Sequence, residues 1–191
     1  MIIDFWKIER VEFDFNEYED FIDIKWQKYK VSDLFNISGS KTTPKAKLEL
    51  IGKGKFPYIT TQAINNGIAG YYNFFTELGD CLTIDSAVLG TCFYQKENFS
   101  ASDHVEILRP KFKMNEKLAF YFCSILNKNI KILNYAYNKK RSQTAIKNEI
   151  VFLPTKNNQI DFDFMEKYIY KIQKRTQKLI YINKKSNIIT I

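Results

Sequence analysis

Six of the seven glycines fall between Gly52 and Gly90, and this clustering constrains the fold more than any other feature. Glycine punctuates turns, so the window reads as short strands joined by tight connections. Aromatic and β-branched residues fill 56–61, and further strands are expected over 70–75, 81–85, 88–95 and 104–108, with Pro110 closing the last. Helix follows. Asn115 caps a run through Asn127 in which Leu118, Ala119, Phe122, Cys123, Ile125 and Leu126 leave little polar face. The pattern predicts a mixed α+β fold, β-rich first and helical later.

The flanks extend this reading. Residues 26–37 read as a strand, a short helical turn capped at Ser32, and a second strand into Ser38-Gly39-Ser40. A strand over 149–153 ends at Pro154, and Asn157-Asn158 turns the chain. Asp163 and Glu166 form a capping pair for a last helix. In it Met165, Ile169, Ile172, Thr176 and Leu179 repeat at 4-3-4-3 spacing, a seam that fits either a second helix or its own domain.

Charge is unevenly placed. The chain of 191 residues carries +8. Residues 1–24 hold eight acids against two bases, a net of −6, which leaves +14 on the remainder. A basic body suits a polyanion partner, although 25 of the 29 bases are Lys and a solvated surface explains part of them. The acidic stretch alternates Val11, Phe13 and Phe15 with Glu12, Asp14 and Asn16, a half-buried strand pattern. It can dock on a partner or lie over a basic groove. No apolar run reaches the roughly 20 residues that span a bilayer, so the expectation is a soluble, cytoplasmic protein with no membrane partner.

Two stretches carry hydrogen-bonding chemistry. In the first, Thr60, Thr61, Gln62, Asn65 and Asn66 precede Gly67, all uncharged and all able to donate and accept. Amides pair with adenine edges and hydroxyls with bases or phosphates, yet the same residues make an ordinary polar turn. In the second, Tyr135 and Tyr137 precede Lys139, Lys140, Arg141, Ser142 and Gln143. Aromatics, cations and amides in one loop suit nucleic acid; a plain basic loop is the alternative. Lys41, Thr42 and Thr43 form a third loop of the kind that meets phosphates.

Catalytic chemistry is hard to place. Three widely spaced cysteines and one histidine give neither a zinc pattern nor a disulfide framework. Asp85-Ser86 with Asp103-His104 offers a hydroxyl, imidazole and carboxylate, but such residues commonly end strands. Asp20, Asp23 and Lys25 are the nearest approach to a magnesium nuclease site.

Taken in order, Trp26, Leu34-Phe35, Gly39-Ser40-Lys41-Thr42-Thr43-Pro44, Phe56-Pro57-Tyr58-Ile59-Thr60-Thr61-Gln62-Ala63, Leu82-Thr83-Ile84-Asp85-Ser86-Ala87-Val88-Leu89-Gly90 and Phe99-Ser100-Ala101-Ser102-Asp103-His104-Val105 resemble a known family. It is the target recognition domain of DNA-specificity (S) subunits of restriction-modification systems, of the type I and type IIB–IIG kind. The likeness covers about residues 26–182. It implies a recognition globule over 25–154 and a C-terminal spacer or dimerisation helix over 155–191; the acidic segment over 1–24 lies outside it and has no assigned role. Typical S subunits carry two recognition domains and two helices. One of each implies a half-subunit, paired with itself or with a second half through Met165, Ile169, Ile172, Thr176 and Leu179.

On this resemblance the chain has no catalytic residue, metal or cofactor of its own. Double-stranded DNA and a methyltransferase or endonuclease subunit are its partners, the latter bringing S-adenosylmethionine and magnesium. Lys41, Thr42, Thr43, Lys139, Lys140 and Arg141 are then expected on phosphates. Thr60, Thr61, Gln62, Asn65, Asn66, Ser142 and Gln143 are expected on base edges, with Asp85, Asp103 and His104 tying down loops. A stand-alone metal nuclease and a helix-mediated protein-interaction module are the alternatives.

Overall fold

The computed structural model describes residues 24–136 and 138–188, with side chains through Tyr181; the acidic stretch lies outside them apart from Ile24. In chain order the elements are β1 (Lys25–Lys30), α1 (Val31–Leu34), β2 (Phe35–Gly39), α2 (Lys45–Ile51) and β3 (Lys53–Ile59). A 3-10 turn (Asn65–Gly67) leads to β4 (Ile68–Tyr72), β5 (Cys81–Asp85), β6 (Cys92–Gln95), β7 (Ser100–Ala101) and β8 (Val105–Pro110). Then come α3 (Glu116–Ile132), α4 (Gln143–Asn148), β9 (Ile150–Lys156), β10 (Gln159–Ile160) and α5 (Phe162–Ile188). The fold is mixed α+β with a long C-terminal helix, as expected.

The centre is an antiparallel sheet of order β2-β8-β5-β6. Side chains alternate across it. Leu108, Leu82 and Ile84 join Phe122, Leu126, Ile146 and Met165 in a core on the helical side. Val105, Ile107 and Cys81 point the other way, onto Ile59, Phe99 and Ala101. That second core sits between the central sheet and a sheet of order β4-β3-β7, whose far side packs Tyr58 and Tyr72 against Leu48 of α2. A third sheet, β1-β9-β10, supports the start of α5.

Local expectations succeed where one residue decides and fail where tertiary contacts do. Asn115 does cap α3, its side chain accepting from Leu118 N at 3.0 Å, but the helix runs on to Ile132. Asp85 is satisfied by the next loop, so the expected strand over 88–95 begins only at Cys92. Ser32 is not a cap; α1 is capped at Lys30, whose amide donates to Asp33. The carboxylate at the start of α5 is Asp161, not Asp163: it accepts from Phe164 N at 2.9 Å.

Pro154 does not end its strand. It pairs with Trp26 inside β9, and its carbonyl accepts from Asp161 N. Amide and carbonyl of one strand residue point the same way, so the missing N–H lies on the side away from β1 and costs that ladder nothing. Two short helices, α2 and α4, were not expected. Each buries a single residue, Leu48 or Ile146, too little for a periodic signal.

The seam on α5 is divided. Met165 is fully buried and Ile169 is 6% exposed, both in the helical-side core. These two pack on their own domain and are corrected as pairing residues. Ile172 and Leu179 remain 43% and 41% exposed.

Candidate nucleic-acid interface

Four loops meet where β2 and β5 end and β8 and β6 begin. Ser40 donates its amide to Val105 O and its hydroxyl to Ser102 O, both at 2.9 Å. Thr42 bridges Ala101, and Ser102 N donates to Ile59 O at 2.9 Å, next to Thr60. Ser86 donates both amide and hydroxyl to His104 O. On the helical side, Gln143 Nε2 lies beside Gly39. One ridge therefore runs from Gln143 through Gly39, Ser40, Lys41 and Thr42 to Ser102 and Thr60. Lys41 stands within it, and exposed Lys139 and Lys140 precede Gln143 in the chain.

The ridge rests on fixed loops. Asp85, 5% exposed, accepts from Ala87 and Val88 on Oδ1 and from Leu89 and Gly90 on Oδ2, at 2.8 to 3.2 Å. Four charge-assisted bonds to one carboxylate hold the whole loop. Gly90 has φ +78°, and a Cβ there would meet Arg141 Cδ at 2.8 Å, so no larger residue fits. His104, also at positive φ, is exposed beside Asp103 at 3.5 Å. Ser86 donates its hydroxyl to the His104 backbone carbonyl rather than to its ring.

Arg141 is not a phosphate ligand. Its side chain is completely buried, pairs with Glu149 through two bonds of 2.7 Å, and donates to Gly90 O at 2.6 Å and Leu126 O at 3.1 Å. Four of its five N–H donors are used, and none faces solvent. Thr43 is corrected likewise: it is 3% exposed, with its hydroxyl directed at Lys41 O and Thr76. Lys41, Thr42, Lys139 and Lys140 stay exposed, although Lys139 Nζ donates to Leu133 O here.

The polar turn after β3 is largely occupied with building itself. Asn65 and Asn66 adopt φ 52° and 53° and Gly67 +76°. Gln62 Nε2 donates to Ile68 O at 2.6 Å and Ile64 O at 3.3 Å, and Asn65 Nδ2 to Ile68 O at 2.8 Å. Asn66 Nδ2 donates to Tyr94 O and Gln95 Oε1. Both amide protons of Gln62 and of Asn66 are spent, so bidentate pairing with adenine is closed to them in this conformation. Thr60 and Thr61 are half-buried at the root of the turn, by the ridge.

The two amide-bearing segments do not share one face. Asn66 sits against β6, beside Gln95, which pairs with Cys81 and points toward the sheet–sheet core. Gln143 lies at the β2 edge on the helical side, three strand spacings or roughly 14 Å away. Ser142 is the N-cap of α4, accepting from Ala145 N at 3.3 Å, and Gln143 is its first residue. Nothing in the sequence flagged the buried Arg141–Glu149 pair, since contacts between distant elements leave no local pattern.

Nucleophilic chemistry finds little purchase. Burial pushes the Cys81 thiol up to about 12, and a hydrogen bond with Cys92, 3.8 Å away, raises that of Cys123. Among the described residues no cluster of three or more acidic, His or Cys side chains is arranged to hold a metal, and no helix is long and apolar enough to cross a membrane. Asp20 and Asp23 lie outside the described residues.

Comparison with known proteins agrees with this architecture. Residues 23–184 match the family model described as the type I restriction modification DNA specificity domain. The chain is 29% identical over 162 residues to the type II restriction enzyme BgcI specificity subunit of Heyndrickxia coagulans, covering 80% of this chain and 45% of that protein. A type I S subunit structure from M. genitalium superposes with TM-score 0.60 at 16% identity, over 91% of this chain and 45% of the other. The HsdS subunit of Thermoanaerobacter tengcongensis gives 0.57 at 12% identity, over 81% and 39%. The chain thus spans less than half the length of these relatives. With a family model covering most of its residues, the chain belongs to the type I restriction modification DNA specificity domain family.

Proposed function

We propose that this chain is a non-catalytic DNA-specificity half-subunit of a restriction-modification system. It contacts one half of a two-part target through the ridge from Gln143 to Thr60, with Lys41, Thr42, Lys139 and Lys140 on phosphates. The observation that carries this reading is the family match over residues 23–184, combined with one ridge of exposed polar and basic loops held on buried anchors. Ser142, Gln143, Thr60 and Thr61 remain candidates for base edges, while Gln62, Asn65 and Asn66 shape the turn and offer carbonyl oxygens.

Pairing runs through the outer part of α5. Ile172, Thr176 and Leu179 continue from an apolar cleft between α3, the β1–β9 ladder and α5, where Trp26, Ile132 and Phe152 are half or more exposed. Ile172 lines that cleft as well as the helix face, so a second copy's α5 would cover both. A symmetric pair reads an inverted repeat. S-adenosylmethionine and magnesium would come with the methyltransferase or endonuclease subunit. The whole assembly acts on DNA in the cytoplasm.

Gel-shift titration across salt tests the DNA contact. Three phosphate-binding lysines, Lys41, Lys139 and Lys140, give log K falling with log salt at a slope of about −2.7 per chain. A chain that binds no duplex at low salt refutes the function.

A further inference from the structure

Gln143 and Glu106 crowd the last residue of β2. A methyl group on Gly39 would lie 3.2 Å from Gln143 Nε2 and 3.8 Å from Glu106 Oε2. Glu106 is held between Gly39 and Ile84 in the central sheet, facing the helical side, and is 8% exposed. Its Oε2 is buried without a hydrogen-bond partner, alone in this among the buried side-chain nitrogens and oxygens of the described residues. An orphaned carboxylate oxygen is expensive to keep. In a surface that meets DNA it is doubly unfavourable, because phosphates repel it, unless a base amino group donates to it.

Adenine is the base that presents an amino donor beside a ring-nitrogen acceptor in the major groove. We propose that Glu106 and Gln143 act as a base-reading pair at Gly39: the Gln143 side chain turns toward the DNA and uncovers Glu106, whose Oε2 accepts from adenine N6 while Gln143 Nε2 donates to N7. This rests on the DNA-reading function above and adds Glu106 as a specificity-determining residue. Gly39 fits this role, since a Cβ there would press on the Gln143 amide at 3.2 Å.

The test is selection of binding sites from random duplex DNA by the full chain, with thermal unfolding measured alongside. The wild-type chain should enrich a motif with a required adenine. Glu106→Met and Gly39→Ala should each relax that one position by roughly 5- to 150-fold, the range for one bidentate contact, leaving the other positions and the salt slope unchanged. Glu106→Met should unfold at the same or a higher temperature, because it removes an unpaired buried carboxylate. If Glu106 merely holds the Gln143 amide, Glu106→Met lowers the unfolding temperature and leaves the motif intact, which overturns the proposal. A position that Glu106→Met relaxes but that requires another base overturns the adenine assignment. A wild-type chain that enriches no motif overturns the DNA-reading function and this pair with it.

Discussion

Removing Arg141 separates two readings of the same residue. As a surface cation, Arg141→Ala would leave stability untouched and flatten the salt dependence of DNA binding by about 0.9. In the structure its loss leaves Glu149, 3% exposed, with Asn129 Nδ2 at 3.3 Å and Tyr135 but no cation, and frees Gly90 O and Leu126 O. Breaking one side of a buried ion pair costs about 3–5 kcal/mol. For a domain of this size each kcal/mol shifts the midpoint by about 2–4 °C, so Arg141→Ala should melt roughly 6–20 °C lower. The double variant Arg141→Met/Glu149→Leu should recover most of that loss, because an apolar pair of similar volume avoids the desolvation penalty. Differential scanning calorimetry reads both. An Arg141→Ala protein that melts with the wild type, while its salt slope falls, would refute the structural assignment.

Lys139→Ala/Lys140→Ala should keep the wild-type melting temperature and reduce the gel-shift salt slope by about 1.8; an unchanged slope removes both from the interface. Asp85→Ala leaves four loop amides without their acceptor and should cost at least about 1–3 kcal/mol, seen as a lower urea midpoint and faster proteolysis within 86–90. Ile172→Lys should convert a dimer into a monomer by light scattering and make the melting temperature independent of protein concentration, while the domain itself stays folded, since Ile172 is 43% exposed. A wild-type chain that is itself monomeric at micromolar concentration refutes the α5 pairing. Burial holds Cys81 and Tyr121 protonated up to about 12, above their ordinary 9.0 and 10.0. Their contribution to stability is complete below pH 9 and lost as pH rises toward 12. The unfolding midpoint should fall across that window, less so in Cys81→Ala.

How much of this was legible from residues alone follows from the range of the forces involved. The cap at Asn115, the positive-φ turn at Asn66-Gly67 and the strand Cys81–Asp85 are written in side chains within a few positions of each other. Arg141 was misread because its neighbours Lys139 and Lys140 are solvated, and nothing local reveals that Glu149 and Gly90 close around it. Gln62 and Asn66 were misread for the opposite reason. Amides able to read a base can equally satisfy backbone carbonyls in a turn, and only the fold decides which acceptors come within reach. The 4-3-4-3 seam was real as a pattern. The sheet decided that Met165 and Ile169 belong to the domain core, leaving only the outer positions for a partner.

The central claim is that this chain supplies the address while another polypeptide performs the reaction. The most direct measurement incubates the purified chain with duplex DNA, S-adenosylmethionine and magnesium, alone and together with a methyltransferase subunit of its system. Methyl transfer should occur only with both proteins present, and at the sequence the chain selects by itself. Methylation or cleavage by the chain alone would contradict the account.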